Sequence, residues 1–395
     1  MAGALERVRV LDLTRLLPGG FCTLLLADLG ADVLKVEDTG VGDYIRWMPP
    51  YYGGEEQQRA GIASAYFLAL NRNKRSMRLN LKHERGSEVL LRLVDDYDVL
   101  VESFRPGVMD RLGVGYETLR ERNPRLIYCP ISGYGQDGPL TDRSGHDTNY
   151  LALNGLLGLT GRRGGPPIQS AGQIADLGGG GLMAAVGILA AVIERERSGE
   201  GQMVDISMTD GALSWLSMVI ARFFAEQTVP RRGELELAGG IACYFPYETK
   251  DGKWVSLGAL EPKFWQNWCN GAGRPDLIEK QFEHPDSAAG HEVARVFLDK
   301  TQADWTAFAG EHDCCLEPIL DLDEVVESDL VRARGMIVEL DQPGLGPVKQ
   351  VGAPIKLSRT PADTSGAAPA LGGDTDDVLR EVGIDPQALR EEGVV

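Results

Sequence analysis

The sequence is poor in the residues that build disulfide frameworks, metal sites and nucleic-acid surfaces. Its six cysteines form neither a CxxC pair nor a disulfide framework, which predicts reduced thiols and a cytoplasmic location. The sequence contains 40 lysines and arginines and 58 aspartates and glutamates, which gives a net charge of −18. This balance disfavours a nucleic-acid partner or an anionic membrane surface, and an anionic ligand would need a local basic patch.

Targeting and membrane segments are also missing. Residues 1–7 contain no signal-peptide core and lead directly into a strand pattern. The longest nearly uncharged apolar run, Leu177 to Ile193, spans only 17 residues and is rich in glycine. We therefore expect a buried helix there and no membrane insertion. With 395 residues, the chain is long enough for two or three domains.

The N-terminal residues predict a parallel α/β sheet. An apolar strand at Val8–Thr14 precedes a helical pattern that starts at Phe21 and ends at Gly30, and a second strand covers 31–37. Glu37 ends that strand, where dinucleotide-binding proteins carry a ribose-binding acid. The first turn lacks the G-x-G-x-x-G fingerprint, so the sequence disfavours NAD binding.

The remaining pattern suggests a chain that leaves the first domain and returns to it. We predict a domain boundary near 230, a hairpin around the Asp251-Gly252 turn, and strands over 330–360 that return to the first domain. Further predicted elements are helices at 84–96 and 211–228, and strands at 99–103, 126–132 and 204–208. The predicted domains are 1–229, 230–327 and 328–395.

Residues 71–82 hold five basic residues and no acid. Such a run is either a solvated charged face or an anion site, most simply for phosphates. Arg105 and residues 133–150 follow predicted strands, at the carboxyl edge where open α/β sheets bind ligands.

Three acid–base residues stand out. Asp176 precedes the glycines 178–181 and an apolar helix. We expect the glycines to form a turn that substrate can approach closely, and the positive end of the helix dipole to favour negative charge that develops there. The Asp176 carboxylate would then act beside it as a general base. The simpler interpretation is an N-cap on a buried helix. His146 lies in a polar turn, where a histidine can also have a purely structural role. Glu261 precedes Pro262, a position that is also typical of an acid at the start of a helix.

These residues occur in motifs that together resemble the α-methylacyl-CoA racemases of the family III CoA transferases. The motifs are Gly145-His146-Asp147-x-Asn149-Tyr150, Asp176 with its glycines, Gly258-Ala259-x-Glu261-Pro262-x-Phe264, Leu29 to Val33, Phe104 to Gly107 and Gly199 to Asp205. The resemblance covers nearly the whole chain. It implies a Rossmann-like large domain built from both chain ends, a smaller α+β domain, and an interlocked homodimer.

The resemblance also implies the chemistry. His146 and Asp176 would flank C2 of a 2-methylacyl-CoA thioester and exchange its proton through an enolate. Glu261 would hold His146, from its own or the partner subunit. No metal and no cofactor beyond the coenzyme A of the substrate is expected, and branched-chain lipid metabolism is the expected context.

The CoA contacts of the family map onto four segments of this chain. They are Leu79, Asn80, Leu81 and Lys82; Ser103, Phe104 and Arg105; Arg111; and Gly145, Asp147, Asn149 and Tyr150. Arg75 and Arg78 are further phosphate candidates by charge alone. The racemases often carry arginine where this chain has Asp38, and we expect Arg72 or Arg75 to compensate.

Two other functions remain open. A CoA transferase of the same family would use Asp176 as a nucleophile that forms an acyl-enzyme anhydride, and would not need His146 or Glu261. A non-catalytic acyl-CoA-binding protein would keep the basic residues but not the acid–base set.

Overall fold

The computed structural model describes residues 3–395, which divide into two compact units. The first unit contains the chain through Asn154, Ala171–Trp215 and Arg332–Val395, and the second contains Gly155–Ser170 and Leu216–Val331. Both ends of the chain therefore contribute to the first unit.

A six-stranded parallel sheet forms the centre of the first unit. Its order, β3-β2-β1-β4-β5-β6, is that of a doubly wound α/β fold and confirms the predicted class. The strands are β1 (Arg9–Leu13), β2 (Asp32–Glu37), β3 (Lys74–Arg78), β4 (Val99–Glu102), β5 (Ile127–Ser132) and β6 (Ile206–Ser207). The order reverses between β1 and β4, so ligands are expected beyond the carboxyl ends of these two strands.

Helices cover the sheet and build most of the second unit. They are α1 (Leu16–Asp28), α2 (Glu55–Arg59), α3 (Ala65–Asn71), α4 (Glu84–Val94), α5 (Val108–Arg111), α6 (Tyr116–Arg122), α7 (Asp147–Leu153), α8 (Leu156–Leu159), α9 (Met183–Ser198), α10 (Met208–Ser214), α11 (Ser217–Glu226), α12 (Pro262–Gly271), α13 (Ala288–Phe297), α14 (Gln302–Glu311), α15 (Leu322–Glu327), α16 (Asp329–Ala333), α17 (Thr375–Glu381) and α18 (Pro386–Glu391). A π-helix spans Ile174–Leu182, and 3-10 turns occur at Tyr44–Trp47, Glu236–Ala238 and Pro275–Lys280.

Helix α1 begins earlier than predicted. It starts at Leu16 rather than Phe21, because the first turn of a helix tolerates Pro18 and the Asp43 carboxylate accepts the Leu16 amide at 3.2 Å. Gly30 follows its end with a φ of 103°, which only glycine adopts readily.

The glycines after Asp176 do not form a turn, which corrects the prediction. They lie inside the π-helix and let neighbouring backbones approach closely. A Cβ on Gly181 would lie 2.7 Å from the Pro18 carbonyl oxygen, and one on Gly211 of α10 would lie 2.0 Å from that of Gly179. Glycine is therefore required here for helix packing.

The basic run is not a solvated face, because its centre is strand β3 and three of its five basic side chains are ion-paired. Lys74 is buried against Asp12 at 3.3 Å, and Arg72 is buried against Asp28 at 2.6 Å. Arg75 lies 3.0 Å from Asp32 and 2.9 Å from Glu381. These three charges stabilise the fold. Arg72 and Arg75 are already paired with carboxylates, and compensation for Asp38 by either arginine stays a prediction.

Glu37 is likewise structural. Its carboxylate accepts hydrogen bonds from Nε and Nη2 of the buried Arg46 guanidinium, at 2.8 and 2.7 Å, and from the Ser76 hydroxyl. The Glu37 carboxylate is therefore not available to bind the hydroxyl groups of a ribose.

The second unit has an aromatic core beside a small antiparallel sheet. Strands β7 (Tyr244–Glu248), β8 (Trp254–Gly258) and β9 (Leu316–Pro318) pair in that order, and the predicted turn at Asp251-Gly252 joins the first two. The rings of Trp265 and Trp268 stack at 5.0 Å. The returning strands β10 (Ile337–Gln342) and β11 (Gly346–Val351) form a hairpin in the first unit.

Two further predictions were too simple. The predicted helix over 211–228 is two helices, α10 and α11, separated at Trp215 and Leu216. The predicted strand over 204–208 is reduced to β6, because Ser207 caps α10. Of the described residues, one helical stretch, Ile174–Ser198, is long and apolar enough to cross a membrane, a test that core helices also pass.

Candidate active site

The first turn of the π-helix is held by a carboxylate from α7. Asp147 is buried, and its Oδ1 accepts the backbone amides of Ala175 at 2.7 Å and of Asp176 at 3.0 Å. This contact joins two segments thirty residues apart in the chain. It therefore brings the beginning of α7, where His146 lies, to the beginning of the helix that carries Asp176.

The Asp176 carboxyl lies among acids and apolar groups. Within the described residues it has no hydrogen-bond or ion-pair partner among basic side chains. Desolvation by burial, and then the charge of Asp147, raise its pKa from 3.8 to about 7. At neutral pH this group is therefore present in both its acidic and its basic form, as proton transfer requires.

His146 is the N-cap residue of α7 and is exposed in this chain. Its backbone amide donates to Oδ1 of Asn149 at 3.0 Å, which fixes the turn into the helix. Tyr150 is buried, donates its hydroxyl to the Gly145 carbonyl at 2.6 Å, and packs edge-on against Tyr134. The predicted Gly145-to-Tyr150 segment is thus one rigid turn beside Asp176.

Glu261 lies in the second unit, as the N-cap residue of α12 with Pro262 in the first turn. Its side chain is exposed and does not cap the helix. The acid is therefore free to act on another group, although its backbone position is that of an ordinary helix-start residue.

Three of the predicted CoA segments follow strands β3 and β4 of the sheet. Ser103 follows β4, and its hydroxyl accepts a hydrogen bond of 3.0 Å from the backbone amide of Arg15, which follows β1. The Ser87 hydroxyl lies within hydrogen-bond distance of the carbonyls of Leu81 and Leu112, which joins the segment 79–82 to the helix that ends at Arg111. Ser103 therefore lies at the crevice where the sheet order reverses, and the other two segments are linked to each other.

The candidate phosphate ligands differ in how they are used. Arg75 is occupied by its ion pairs, and we leave it out of the site. No described carboxylate lies within ion-pair distance of four other cations: Arg78, Lys82, Arg105 and Arg111. Leu79 has a buried side chain, and the Asn80 carboxamide accepts the Lys82 amide, so these two residues shape the backbone.

Arg15 occupies the crevice beside Asp38. The two side chains pair at 2.8 Å, both partly exposed, and the guanidinium lies 5.8 Å from the centre of the Phe104 ring. The carboxylate that departs from the racemase pattern is thus neutralised by a neighbouring arginine, which sequence reasoning missed.

Glu102 was missed as well. It ends β4, is buried, and accepts the Phe104 amide at 2.7 Å and the Tyr128 hydroxyl at 3.0 Å. Burial is the main cause that raises its pKa from 4.5 to about 7. The sequence feature that could have identified Glu102 is its position: it is an acid at the end of an apolar strand, directly before the Ser103-Phe104-Arg105 segment.

Glu102 and Arg105 lie at or just after the end of β4 without an ion-pair partner among the described residues, and the carboxyl edge of a doubly wound sheet is where phosphate-bearing ligands bind. Comparison with known proteins identifies the class. The model of CoA-transferase family III matches residues 5–375, and the chain belongs to this enzyme family.

Relatives of two activities resemble the chain at similar identity. Human alpha-methylacyl-CoA racemase is 35% identical, over 98% of this chain and 95% of its own length. The succinyl-CoA:mesaconate CoA-transferase of Haloarcula marismortui is 38% identical, over 99% of both. A solved CAIB/BAIF family protein from Brucella suis superimposes with a TM-score of 0.84 at 29% identity, covering 97% of this chain and 100% of that one.

Proposed function

We propose that this enzyme inverts C2 of 2-methylacyl-CoA thioesters by 1,1-proton transfer. The observation that carries the proposal is the Asp147 carboxylate, which bonds the Asp176 amide and so brings His146 and Asp176 into one locality. Epimerising a carbon needs one base to remove a proton and one acid to return a proton on the opposite face.

In the proposed reaction one of the two residues takes the C2 proton, and the C2–H electron pair moves into the thioester to form an enolate. The other residue, in its protonated form, then gives its proton to the opposite face. An Asp176 pKa of about 7 supports this role, because an ordinary aspartic acid would be almost fully ionised at neutral pH.

The enolate oxygen needs hydrogen-bond donors or a positive dipole. The first turn of the π-helix offers its positive end, although Asp147 already occupies the amides of Ala175 and Asp176. Glu261 is proposed to orient the His146 imidazole, from the same or the partner subunit. The proton transfers require no redox step, so we propose coenzyme A of the substrate as the only cofactor-like group.

The CoA moiety is proposed to lie across the crevice at the sheet edge. Lys82, Arg105 and Arg111, with Arg78, supply positive charge that is not already paired with a carboxylate, and phosphates favour such cations. Arg15 and Asp38 present a guanidinium and a carboxylate at the same edge, and these suit phosphate and ribose hydroxyl groups.

The second candidate is a CoA transferase, favoured by relatives with that activity. There the Asp176 carboxylate would attack the thioester carbonyl and release CoA as thiolate, which leaves an acyl-aspartyl anhydride. A raised pKa also suits a nucleophile, so the carboxylate alone does not separate the two reactions. The histidine at position 146 has a role only in the racemase, and this favours the first candidate.

One experiment distinguishes these functions. The enzyme is incubated with a single epimer of a 2-methylacyl-CoA in deuterated water, without a free acid. Deuterium at C2 together with the opposite epimer supports the racemase. No reaction until a free carboxylic acid is added supports the transferase, and no reaction in either case supports a binding protein.

We further propose a homodimer located in the cytoplasm. Leu182 at the end of the π-helix and Val186 and Ile193 on α9 lie on one helix face and are 40%, 55% and 69% exposed. A second copy would cover this apolar face. Light scattering after size-exclusion chromatography should give a mass twice that of the chain. The double variant Val186→Glu, Ile193→Glu should give a mass closer to that of the monomer. An unchanged mass in the double variant contradicts this interface.

A further inference from the structure

Arg15 lies at the point where the order of the sheet reverses. It follows β1, and the hydroxyl that accepts its backbone amide belongs to Ser103, which follows β4. The next residue, Leu16, has a left-handed φ of 61°, and its amide donates to the Asp43 carboxylate at 3.2 Å. Contacts with two other segments of the chain therefore fix the backbone of Arg15 where doubly wound sheets bind their ligands.

The Asp38 carboxylate lies between this arginine and the loop that follows β2. Its Oδ2 accepts a hydrogen bond from Nη2 of Arg15 at 2.8 Å, and both side chains are partly exposed. Its Oδ1 accepts the backbone amides of Gly40 at 2.9 Å and of Gly42 at 3.3 Å. The loop therefore positions Asp38, and the guanidinium is a partner that can be exchanged without a change in the loop.

The pair of Arg15 and Asp38 differs in depth from the structural pairs of the first unit. Arg72 and Asp28 are buried, whereas water reaches both partners of the Arg15 pair. Exposed ion pairs are weak because water and salt screen them, so another anion can replace the carboxylate at small cost. A phosphate carries up to two negative charges and offers two oxygens to the fork of a guanidinium, so it is well suited to replace Asp38.

We infer that Arg15 binds a phosphate group of the CoA moiety, and that Asp38 is a built-in competitor that leaves the guanidinium when the phosphate binds. Asp38 therefore weakens the binding of phosphate-bearing ligands at this position. After the exchange its carboxylate can still accept a ribose hydroxyl, as an asparagine oxygen also can. The inference rests on the proposed function insofar as the ligand is a CoA thioester, and it deepens that function by assigning a phosphate contact and its competitor.

The test measures the binding of CoA, 3′-dephospho-CoA and pantetheine by isothermal titration calorimetry, with pantetheine titrated in competition with CoA because it carries no phosphate. Asp38→Asn removes the charge but keeps an acceptor for the loop amides, so it should bind CoA about three- to tenfold more tightly than the parent. A gain in affinity cannot result from misfolding. Arg15→Gln should bind CoA about tenfold more weakly, and neither variant should change pantetheine binding by more than about twofold.

Asp96→Asn is the matched control. Asp96 pairs with Arg92 at 3.5 Å, and the two side chains are 41% and 43% exposed, against 38% and 39% for Asp38 and Arg15. It precedes β4, at the opposite edge of the sheet from Arg15. The control removes the same charge from the protein and should leave CoA binding within about twofold of the parent.

The two nucleotide probes identify the phosphate. A gain in Asp38→Asn for CoA alone assigns Arg15 to the 3′-phosphate, and an equal gain for 3′-dephospho-CoA assigns it to the diphosphate. Unchanged or weaker CoA binding in Asp38→Asn overturns the inference, as does an equal gain for pantetheine or in Asp96→Asn. Failure of the proposed function gives a different result, namely no deuterium at C2 in the parent protein while the gain in Asp38→Asn and the loss in Arg15→Gln persist.

Discussion

Carboxylates in two regions of the first unit differ in their partners: Asp12, Asp28 and Glu102 are buried and Asp176 is partly buried. Beneath α1, Asp12 meets Lys74 and Lys35, and Asp28 meets Arg72. At the carboxyl edge, Asp176 and Glu102 meet no cation among the described residues.

The contrast is visible in the pKa values. Despite complete burial, which works in the opposite direction, the two lysines and the Thr14 and Thr23 hydroxyls lower the pKa of Asp12 to about 2. Burial without a cation raises the pKa of Asp176 and of Glu102 to about 7. Paired acids thus stabilise the fold, whereas the unpaired acids are available to exchange protons near neutral pH.

The largest expected effect on stability follows from breaking a paired acid. Asp12→Ala leaves Lys74 and Lys35 buried without their shared partner, so we expect the free energy of unfolding to fall by about 3–5 kcal/mol. Urea denaturation measures it. Glu55→Ala is the control, because Glu55 pairs with Arg59 on the surface at 82% and 80% exposure and should cost less than about 1 kcal/mol. Equal losses in the two variants would contradict the distinction between structural and surface pairs.

An intermediate effect, opposite in sign, is expected at the unpaired acid. Because the folded-state pKa of Asp176 is raised, its ionisation destabilises the native state progressively as the pH rises from about 4 to about 7. At pH 8 the free energy of unfolding of Asp176→Asn, measured by urea denaturation, should therefore exceed that of the parent by on the order of 1–3 kcal/mol. At pH 4 the two proteins should unfold at nearly the same urea concentration. A variant that is less stable at pH 8 contradicts the unpaired environment.

The smallest effect is expected at Glu102. Its ionisation also destabilises the native state as the pH rises from 4.5 to about 7, so Glu102→Gln should flatten the pH dependence of stability across that range. The amide retains one acceptor for the Phe104 and Tyr128 donors, and the net change should stay within about 1 kcal/mol. Tyr128→Phe, which removes a donor but no charge, should keep the parent's pH dependence.

Local patterns in the sequence were sufficient for much of the fold. The apolar runs of β1, β4 and β5 predicted strands, and the Asp251-Gly252 turn predicted its hairpin. Gly199 follows the end of α9 with a φ of 81°, a conformation that glycine adopts readily at the end of a helix. Each of these features depends on residues close together in the chain.

Features that depend on distant residues could not be predicted. The partner of Arg72 is 44 positions away and one partner of Arg75 is 306 positions away, so the basic run looked like a free anion site. The glycines after Asp176 were interpreted as a turn because the helices that pack on them, α1 and α10, are remote in the sequence. The motif residues of the candidate site were found by resemblance, while Glu102 and Arg15 needed the tertiary structure.

The most direct test of the account is the stereospecificity of proton exchange in two single variants. Asp176→Asn and His146→Asn are each incubated in deuterated water with the separate C2 epimers of one 2-methylacyl-CoA, and deuterium and configuration are measured. If the two residues act on opposite faces, neither variant inverts C2, yet each exchanges the proton of one epimer, and the two variants exchange opposite epimers. Exchange of the same epimer by both variants, or inversion by either, would contradict the proposed pair.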